Sequence, residues 1–435
     1  MTTPLSFDDN RPSGGQDYSY SPPTSAGGSG APRMPLMVVL VGALFGAIFS
    51  GISTSDFISH LDRQVHSIHC SFIPGAGAEI GESGCRTVMM SPYSSLFRES
   101  LWGGMPLALL AVAVFAYLVM HAGRLLLGGK PVTKHDSLYL LAAAALPALM
   151  SCIYAYIAIV QIGAVCKLCV GVYLSSAVIV VGAVLAHLNA APAPSSELPM
   201  GQFARQFGEG VLYVAVLAIF YALFAPASPK STQGCGTLVK KDDGSGIFIP
   251  MGSGKGTAAV AVVDPLCPAC KGFDDRMRAS GFYRELALQS VLFPLDSACN
   301  WMVKDSLHPG ACAVSEAMLC DREGAEAILD YAFMNQEMLR ALAKKDRDSG
   351  QQNDPKLRAL LEEKFPKLKG CLGSAKIKNQ VNKSLKWAVS NALPVLTPQL
   401  FIGDKRVCDE DTDLGLEYTI AKMLEGGPAT SGKRR

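Results

Sequence analysis

Uncharged apolar residues collect in four stretches, all before residue 227. The first, MPLMVVLVGALFGAIFSGI (34–52), is 19 residues long. At about 1.5 Å per residue, a helix of that length crosses about 30 Å, the thickness of bilayer hydrocarbon. LWGGMPLALLAVAVFAYLVM (101–120) predicts a second crossing. The run 137–188 has 52 residues and only one Lys, Arg, Asp or Glu, Lys167. It is too long for one crossing and suits two. GVLYVAVLAIFYALFAP (210–226) predicts a fifth. Five crossings put the chain ends on opposite sides. The loop 53–100, the junction inside the long run and the segment after 226 then share one side. The short loop after the second span holds Arg124, Lys130 and Lys134, which marks the other side as cytoplasmic. Arg63, Arg86 and Arg98 on the opposite loop soften that contrast. The long tail before the first span, with no small-x-small cleavage site after it, favours a retained span over a signal peptide.

Composition sharpens this division. The 435 residues are 49% hydrophobic with a formal charge of +2, so bulk charge gives no case for nucleic-acid binding. The charged residues concentrate after residue 226. Residues 1–33 are rich in Ser, Gly and Pro and predict a disordered tail. The chain has 13 cysteines. Nearly all fall on the side assigned as outer, where disulfides persist.

Three cysteine pairs stand out. Cys70 and Cys85 lie in the first loop. Cys166 and Cys169, in CKLC, fall just past the middle of the 52-residue run, hence at the edge between its two spans. Lys167 supports that placement: a lysine at the bilayer centre costs roughly 2.5–3.5 kcal/mol on insertion scales, whereas near a helix end it reaches water. The third pair is Cys267 and Cys270. A β-branched run, AVAVV, leads through Asp264-Pro265-Leu266 into CPAC and then a polar helical pattern. Strand–CxxC–helix is the thioredoxin-like redox signature. A cysteine at a helix N-terminus feels unpaired N–H groups and the macrodipole, which favour the nucleophilic thiolate. A second cysteine one turn on can resolve a mixed disulfide. Further along, LPVLTPQLFIGDKRV (393–407) predicts a loop at Thr397-Pro398, a strand and a hairpin.

Other features carry less. The two CxxC motifs lie apart with no nearby His pair, so no metal is expected. GSGKGT departs from the phosphate-loop pattern and is read as a turn. Cys152 is expected to pack within the third span. Cys235, Cys299, Cys312, Cys320, Cys371 and Cys408 leave their pairing open, with Cys299–Cys312 preferred by proximity.

Together these motifs resemble the bacterial vitamin K epoxide reductase family, in the form fused to a thioredoxin-like, DsbA-type domain. GCRTVMMSPYS resembles the family's Cys followed six residues on by Ser, here Cys85 and Ser91. CKLCVGVY resembles its CxxC followed four residues on by Tyr, here Tyr173. CPAC, FPLDSACN, HPGACAVSEAMLC and TPQLFIGDK resemble the DsbA-type branch, with a helical insertion at about 308–386. The resemblance spans about 34–425. It implies a membrane α-helical bundle, a four-helix core plus a fifth linking span, followed by a soluble α/β thioredoxin-like domain with a helical insertion. The boundaries are a tail at 1–33, the four-helix domain at 34–190, linker and fifth span at 191–226, the thioredoxin-like domain at 227–427 and a basic tail at 428–435. Three departures stand beside it, the first being that no residue matches the family's quinone-contacting Asn. Fourteen residues separate Cys70 from Cys85, a longer gap than the family's. The CPAC dipeptide has no histidine, which leaves redox poise open.

The resemblance also implies a mechanism. Cys70, Cys85, Cys166, Cys169, Cys267 and Cys270 are the expected redox residues, with Pro398 a cis-proline facing CPAC. A quinone, ubiquinone or menaquinone, is the expected acceptor, with Ser91 and Tyr173 lining its pocket. Expected partners are membrane lipid and reduced cysteine-containing secreted proteins. The expected location is the bacterial inner membrane, five-pass, with a cytoplasmic N-terminus and a periplasmic thioredoxin-like domain. Two alternatives stay open: the same parts running from quinol to disulfide or epoxide, and a membrane-anchored binding protein with purely structural disulfides.

Overall fold

The computed structural model of the protein describes residues 33–61, 84–129, 131–193, 199–226, 234–252 and 255–425. The expected tails at 1–33 and 428–435 lie outside these residues, apart from Arg33. The first half is helical: α1 (Arg33–Leu61), the short α2 (Gly84–Met90), α3 (Leu107–Leu127), α4 (Lys134–Tyr156), α5 (Lys167–Leu188) and α6 (Met200–Phe224). Among the described residues, five helices are long and apolar enough to cross a membrane. Their ends differ from the apolar runs. α1 continues past residue 52 to Leu61, because polar residues at a span end keep their helical hydrogen bonds. α3 starts six residues later than the second apolar run, at Leu107, with Pro106 as its N-cap. Gly103 and Gly104 adopt positive φ, and a small hairpin of β1 (Ser95–Leu96) and β2 (Met105–Pro106) occupies the turn before it. α6 begins ten residues before the fifth run.

Glycines set how closely the spans approach. α1 packs against both α3 and α5. A Cβ on Gly46 would stand 2.7 Å from the Phe115 ring, and one on Gly171 2.7 Å from the Phe49 ring. Small residues at crossings admit the dispersion contacts that hold helices together in lipid. α6 is peripheral: Tyr221 is its one buried residue, and its hydroxyl donates to the Gly104 carbonyl at 3.0 Å. Cys152, expected as a packing residue, is instead exposed on α4. A helix that is apolar all round carries no sequence mark of which face turns inward.

The second half is a mixed α/β unit. Its strands are β3 (Ile249–Pro250), β4 (Thr257–Val263), β5 (Leu286–Leu292), β6 (Gln399–Ile402) and β7 (Lys405–Arg406), in the order β3-β5-β4-β6-β7. Central β4 pairs parallel with β5 and antiparallel with β6. Its last five residues are all buried, which accounts for its unbroken apolar run. α7 (Pro268–Ala279) and α8 (Phe282–Glu285) link β4 to β5. The helical insertion is α9 (Ala311–Cys320), α10 (Ala325–Met334), α11 (Gln336–Asp348), α12 (Pro355–Lys364) and α13 (Ala375–Ser390), and α14 (Leu416–Glu425) follows the hairpin. Cys299 pairs with Cys312, as proximity suggests, and the sequence-undecided pairs are Cys235–Cys408 and Cys320–Cys371.

One side chain ties the halves together. Arg276 of α7 has no exposed surface. Its Nε donates to Glu417 Oε2 at 3.1 Å, its Nη1 to the carbonyls of Met90 and Ser91 at 3.2 and 3.3 Å, and its Nη2 to the Leu414 carbonyl at 3.5 Å. Glu417, also fully buried, takes a second guanidinium from Arg98 at 2.9 Å. Trp102 Nε1 donates to Asp411 at 2.9 Å, and His60 meets Asp413 at 2.7 Å. Phe57, Leu61 and Trp102 pack on Leu414 between these polar contacts.

Breaking a buried pair strands a charge, whereas replacing the whole group with apolar residues does not. Glu417→Ala is expected to cost about 3–5 kcal/mol, read as a lower melting temperature in detergent. The triple change Arg98→Met, Arg276→Met and Glu417→Leu should cost less than that single one. A triple variant that melts lower would contradict this account.

Candidate active site

The thiol-bearing segments converge where one end of the bundle meets the α/β half. α4 runs into a π-helical turn, Ile157–Ile162, which ends at Gly163 with φ 71°. That left-handed residue turns the chain into a short loop, and the loop delivers Cys166 as N-cap of α5. The Cys166 sulfur accepts the Cys169 N–H at 3.3 Å. Cys169 lies one turn into the helix, and Lys167 between them is exposed.

α2 brings Cys85 to this loop. Gly84 has no room for a side chain, because a Cβ there would run into the Val165 carbonyl. Cys85, Cys166 and Leu168 form one buried cluster, with Phe49, Ile52, Val88 and Cys169 packed around it. Cys85 is disulfide-bonded, and Cys166 and Cys169 are free thiols. Cys70 lies outside the described residues.

The same three cysteines open onto a cavity of about 320 Å³ between α1, α3, α4 and α5. Its wall is mostly aliphatic and aromatic. Ser91 and Tyr173, the two expected pocket residues, both line it. The Ser91 hydroxyl donates to the Val88 carbonyl at 2.7 Å, so it also caps α2. Asp56, Tyr93 and Tyr154 line the cavity as well and were not expected from the sequence. Asp56 sits just beyond the apolar run of the first span, in the part of α1 that run did not mark. A carboxylate in a membrane-crossing helix is the signal that could have found it.

On the other half, Cys267 is the N-cap of α7, with Pro268 at the first helical position. The Thr397–Pro398 bond is cis, and the Thr397 carbonyl accepts the Cys267 thiol at 3.7 Å. Gln336 Nε2 donates to the Cys267 carbonyl at 2.9 Å. A hydrogen bond from Cys270 brings the Cys267 thiol down to about 7, against burial, which pushes it up. Burial first, and then that same hydrogen bond, raise Cys270 well above an ordinary thiol. The pair thus divides into a nucleophile and a protonated partner.

Two cations join α7 to the bundle. Arg276 grips the carbonyls at the C-terminus of α2, the helix of Cys85. Lys271, next to Cys270, donates its Nζ to the Ile162 carbonyl at 3.2 Å, at the end of the turn that leads to Cys166. Orphan carbonyls at helix ends commonly recruit such cations. Neither residue was legible as functional, since each acts through a backbone carbonyl remote in sequence. Among the described residues, the cluster with the spacing for a metal ion is Cys235, Cys408 and Glu410. Its two sulfurs are already joined as a disulfide.

No curated protein matches the chain. Residues 37–184 match the model of the vitamin K epoxide reductase family, a range that runs from α1 into α5 and contains Cys85, Cys166 and Cys169. Over residues 37–184, within its helical half, this chain is therefore similar to the vitamin K epoxide reductase family.

Proposed function

We propose that this protein is a thiol:quinone oxidoreductase of the bacterial inner membrane, which generates disulfides in secreted proteins. In this reading the α/β half is a periplasmic thioredoxin-like domain of the DsbA type, the N-terminus is cytoplasmic, and five spans separate them. The observation that carries the reading is the meeting of thiols: Cys85 shares a cluster with Cys166 and Cys169, and the helix of Cys267 and Cys270 is bonded to both segments that hold them. Members of the vitamin K epoxide reductase family act on thiols and quinones, and that supports the chemistry assigned here.

The electron path follows from thiol exchange. A thiolate of a reduced substrate attacks the Cys267–Cys270 disulfide, and a second substrate thiol resolves the mixed disulfide. The substrate leaves oxidised and the CPAC pair reduced. Cys267 then attacks a Cys70–Cys85 disulfide at Cys70, releasing the Cys85 thiolate, and Cys270 resolves the Cys267–Cys70 bond. Cys85 attacks the Cys166–Cys169 disulfide at Cys166, releasing Cys169, and Cys70 resolves the Cys85–Cys166 bond. The two electrons now reside on Cys166 and Cys169, at the cavity wall.

The cavity fits a quinone. Its volume is of the size that small-molecule pockets have. It is apolar, lies between membrane-crossing helices, and offers a few hydroxyls beside Cys169. Tyr173 would hold a ring carbonyl, Ser91 would line the ring while its hydroxyl stays on the Val88 carbonyl, and aliphatic side chains of α3 and α4 would hold the apolar body. A quinone bound there supplies a sink for two electrons and two protons, which matches what a dithiol loses on becoming a disulfide.

Purified protein in detergent should reduce ubiquinone or menaquinone when driven by a dithiol. Cys166→Ala and Cys169→Ala should each abolish turnover, while Cys169→Ala leaves thiol exchange at Cys267 intact. Quinone reduction retained by Cys169→Ala would refute the assignment. No turnover with either quinone would favour the quinol-to-disulfide direction or a purely structural role for the thiols. The packing of α2 gives a second expectation. Gly84→Val must push α2 off the Val165 carbonyl, and a misplacement of about 1 Å can slow a step about 100-fold. Dithiol-driven quinone reduction should fall by about that factor, while Cys166 and Cys169 keep their reactivity toward small thiol reagents. An unchanged rate would show that Cys85 needs no such contact.

A further inference from the structure

The Cys267 thiolate lacks a charged neighbour within its own motif. Pro268 and Ala269 are neutral, and from outside the motif Thr397 contributes only a hydrogen bond and no charge. A buried carboxylate stands close by. Asp264 directly follows β4 with no exposed surface, and its own N–H donates to the Cys270 sulfur at 3.4 Å. Its carboxylate takes Leu266 N–H on Oδ1 at 2.7 Å, and Leu295 N–H and His308 Nδ1 on Oδ2 at 2.6 and 2.8 Å. A thiolate beside an uncompensated carboxylate is disfavoured. His308 is the group placed to change that balance.

His308 sits just before α9, outside the strand–CxxC–helix unit. Its backbone N–H donates to the Leu295 carbonyl at 3.2 Å, which pins the ring over the end of β4. With Nδ1–H committed to Asp264, the second ring nitrogen is left to take up or release a proton. Asp264, just after β4, contacts the ring, and Cys267 at the start of α7 and Arg340 on α11 act on it by charge.

We propose that His308, oriented by Asp264, is a positioning residue that supplies the cationic partner of the Cys267 thiolate from outside the CPAC motif. The inference deepens the function proposed above and rests on it. Burial opposes charge on the ring, and so does Arg340, but the hydrogen bond and charge of Asp264 prevail and raise the imidazole above its ordinary value. His308 in turn adds to the lowering of the Cys267 thiol. A stabilised thiolate is the better leaving group and makes the disulfide more oxidising.

The test uses full-length protein in detergent, with the CPAC pair reduced. Alkylation by iodoacetamide is followed by the mass of the peptide carrying Cys267, across pH 5 to pH 10. In the wild type, reactivity should rise with pH through about 7, as the thiolate forms. In His308→Gln the rise should move up, and the rate at pH 6 should drop about tenfold, one pKa unit. At the alkaline end the two should match. His308→Lys, which keeps the charge, should recover most of the loss. The equilibrium of the CPAC disulfide with glutathione should shift about tenfold against reduction in His308→Gln. Melting in detergent reports folding, and His308→Asn stands in for a variant that melts poorly. A folded His308→Gln protein whose profile and equilibrium overlay the wild type would overturn the proposal. So would a loss that His308→Lys does not restore, because that is the mark of a purely structural ring. Neither readout needs quinone turnover. A wild type that equilibrates with glutathione but reduces no quinone therefore fails the proposed function while leaving this inference standing.

Discussion

A guanidinium without solvent must find acceptors, and Arg276 finds them on two parts of the chain at once. Its partners are a carboxylate on α14 and the carbonyls that end α2. Neither end of this arrangement is stable alone. Removing the carboxylate leaves Arg276 and Arg98 facing each other in a buried space, and removing the arginine uncaps α2. The ion group therefore fixes the α/β half on the bundle in one register. That register places the helix of CPAC beside the helix of Cys85. Lys271 repeats the device one turn earlier, against the turn before Cys166. Both cations lie on the helix that starts with the redox motif, so the docking contacts and the reactive sulfurs belong to one rigid element.

Under the proposed function, the placement matters because the two reactants would occupy different solvents. A folding protein stays in water, and a quinone stays in lipid. Two CxxC pairs answer this with the same spacing and different surroundings. Cys166 caps a membrane-crossing helix and faces an apolar cavity. Cys267 caps a helix in the α/β half, against a cis-proline loop and a His–Asp pair. A short helix bearing Cys85 lies between them, seated by a glycine that leaves no space for a side chain. Under the proposed function, the distance between water and lipid would be covered by exchange among these sulfurs.

The sequence showed the spans and the motifs because both depend on local pattern. An uncharged run needs only its own residues to be read, and so does CxxC after a β-branched strand. Span ends were harder. Residues 53–61 stay helical beyond the apolar run, while Leu101–Pro106 leave the helix despite being apolar, since two positive-φ glycines and a proline control that turn. What brings the site together was hidden for another reason. Arg276 and Met90 are 186 positions apart, and Asp264 and His308 are 44 apart. No periodicity links such pairs. Cys152 shows the same limit on a smaller scale: in an apolar helix, composition is blind to facing.

The separation of Asp264 from His308 also carries a physical consequence. A charge built into the CPAC dipeptide would move with Cys267 on α7. Here the charge sits on the segment before α9, in the helical insertion, and reaches the thiolate only when the insertion is packed on the sheet. Asp264 enforces that packing, since one carboxylate holds β4, the chain after β5 and the His308 ring together. The acidity of the nucleophile thereby has two sources: the Cys270 hydrogen bond within the motif, which is the larger, and His308, which is added by the assembled domain. A CPAC helix that forms early, before the insertion closes over it, would lack the His308 contribution, and the full lowering of the Cys267 thiol would come only with the complete fold.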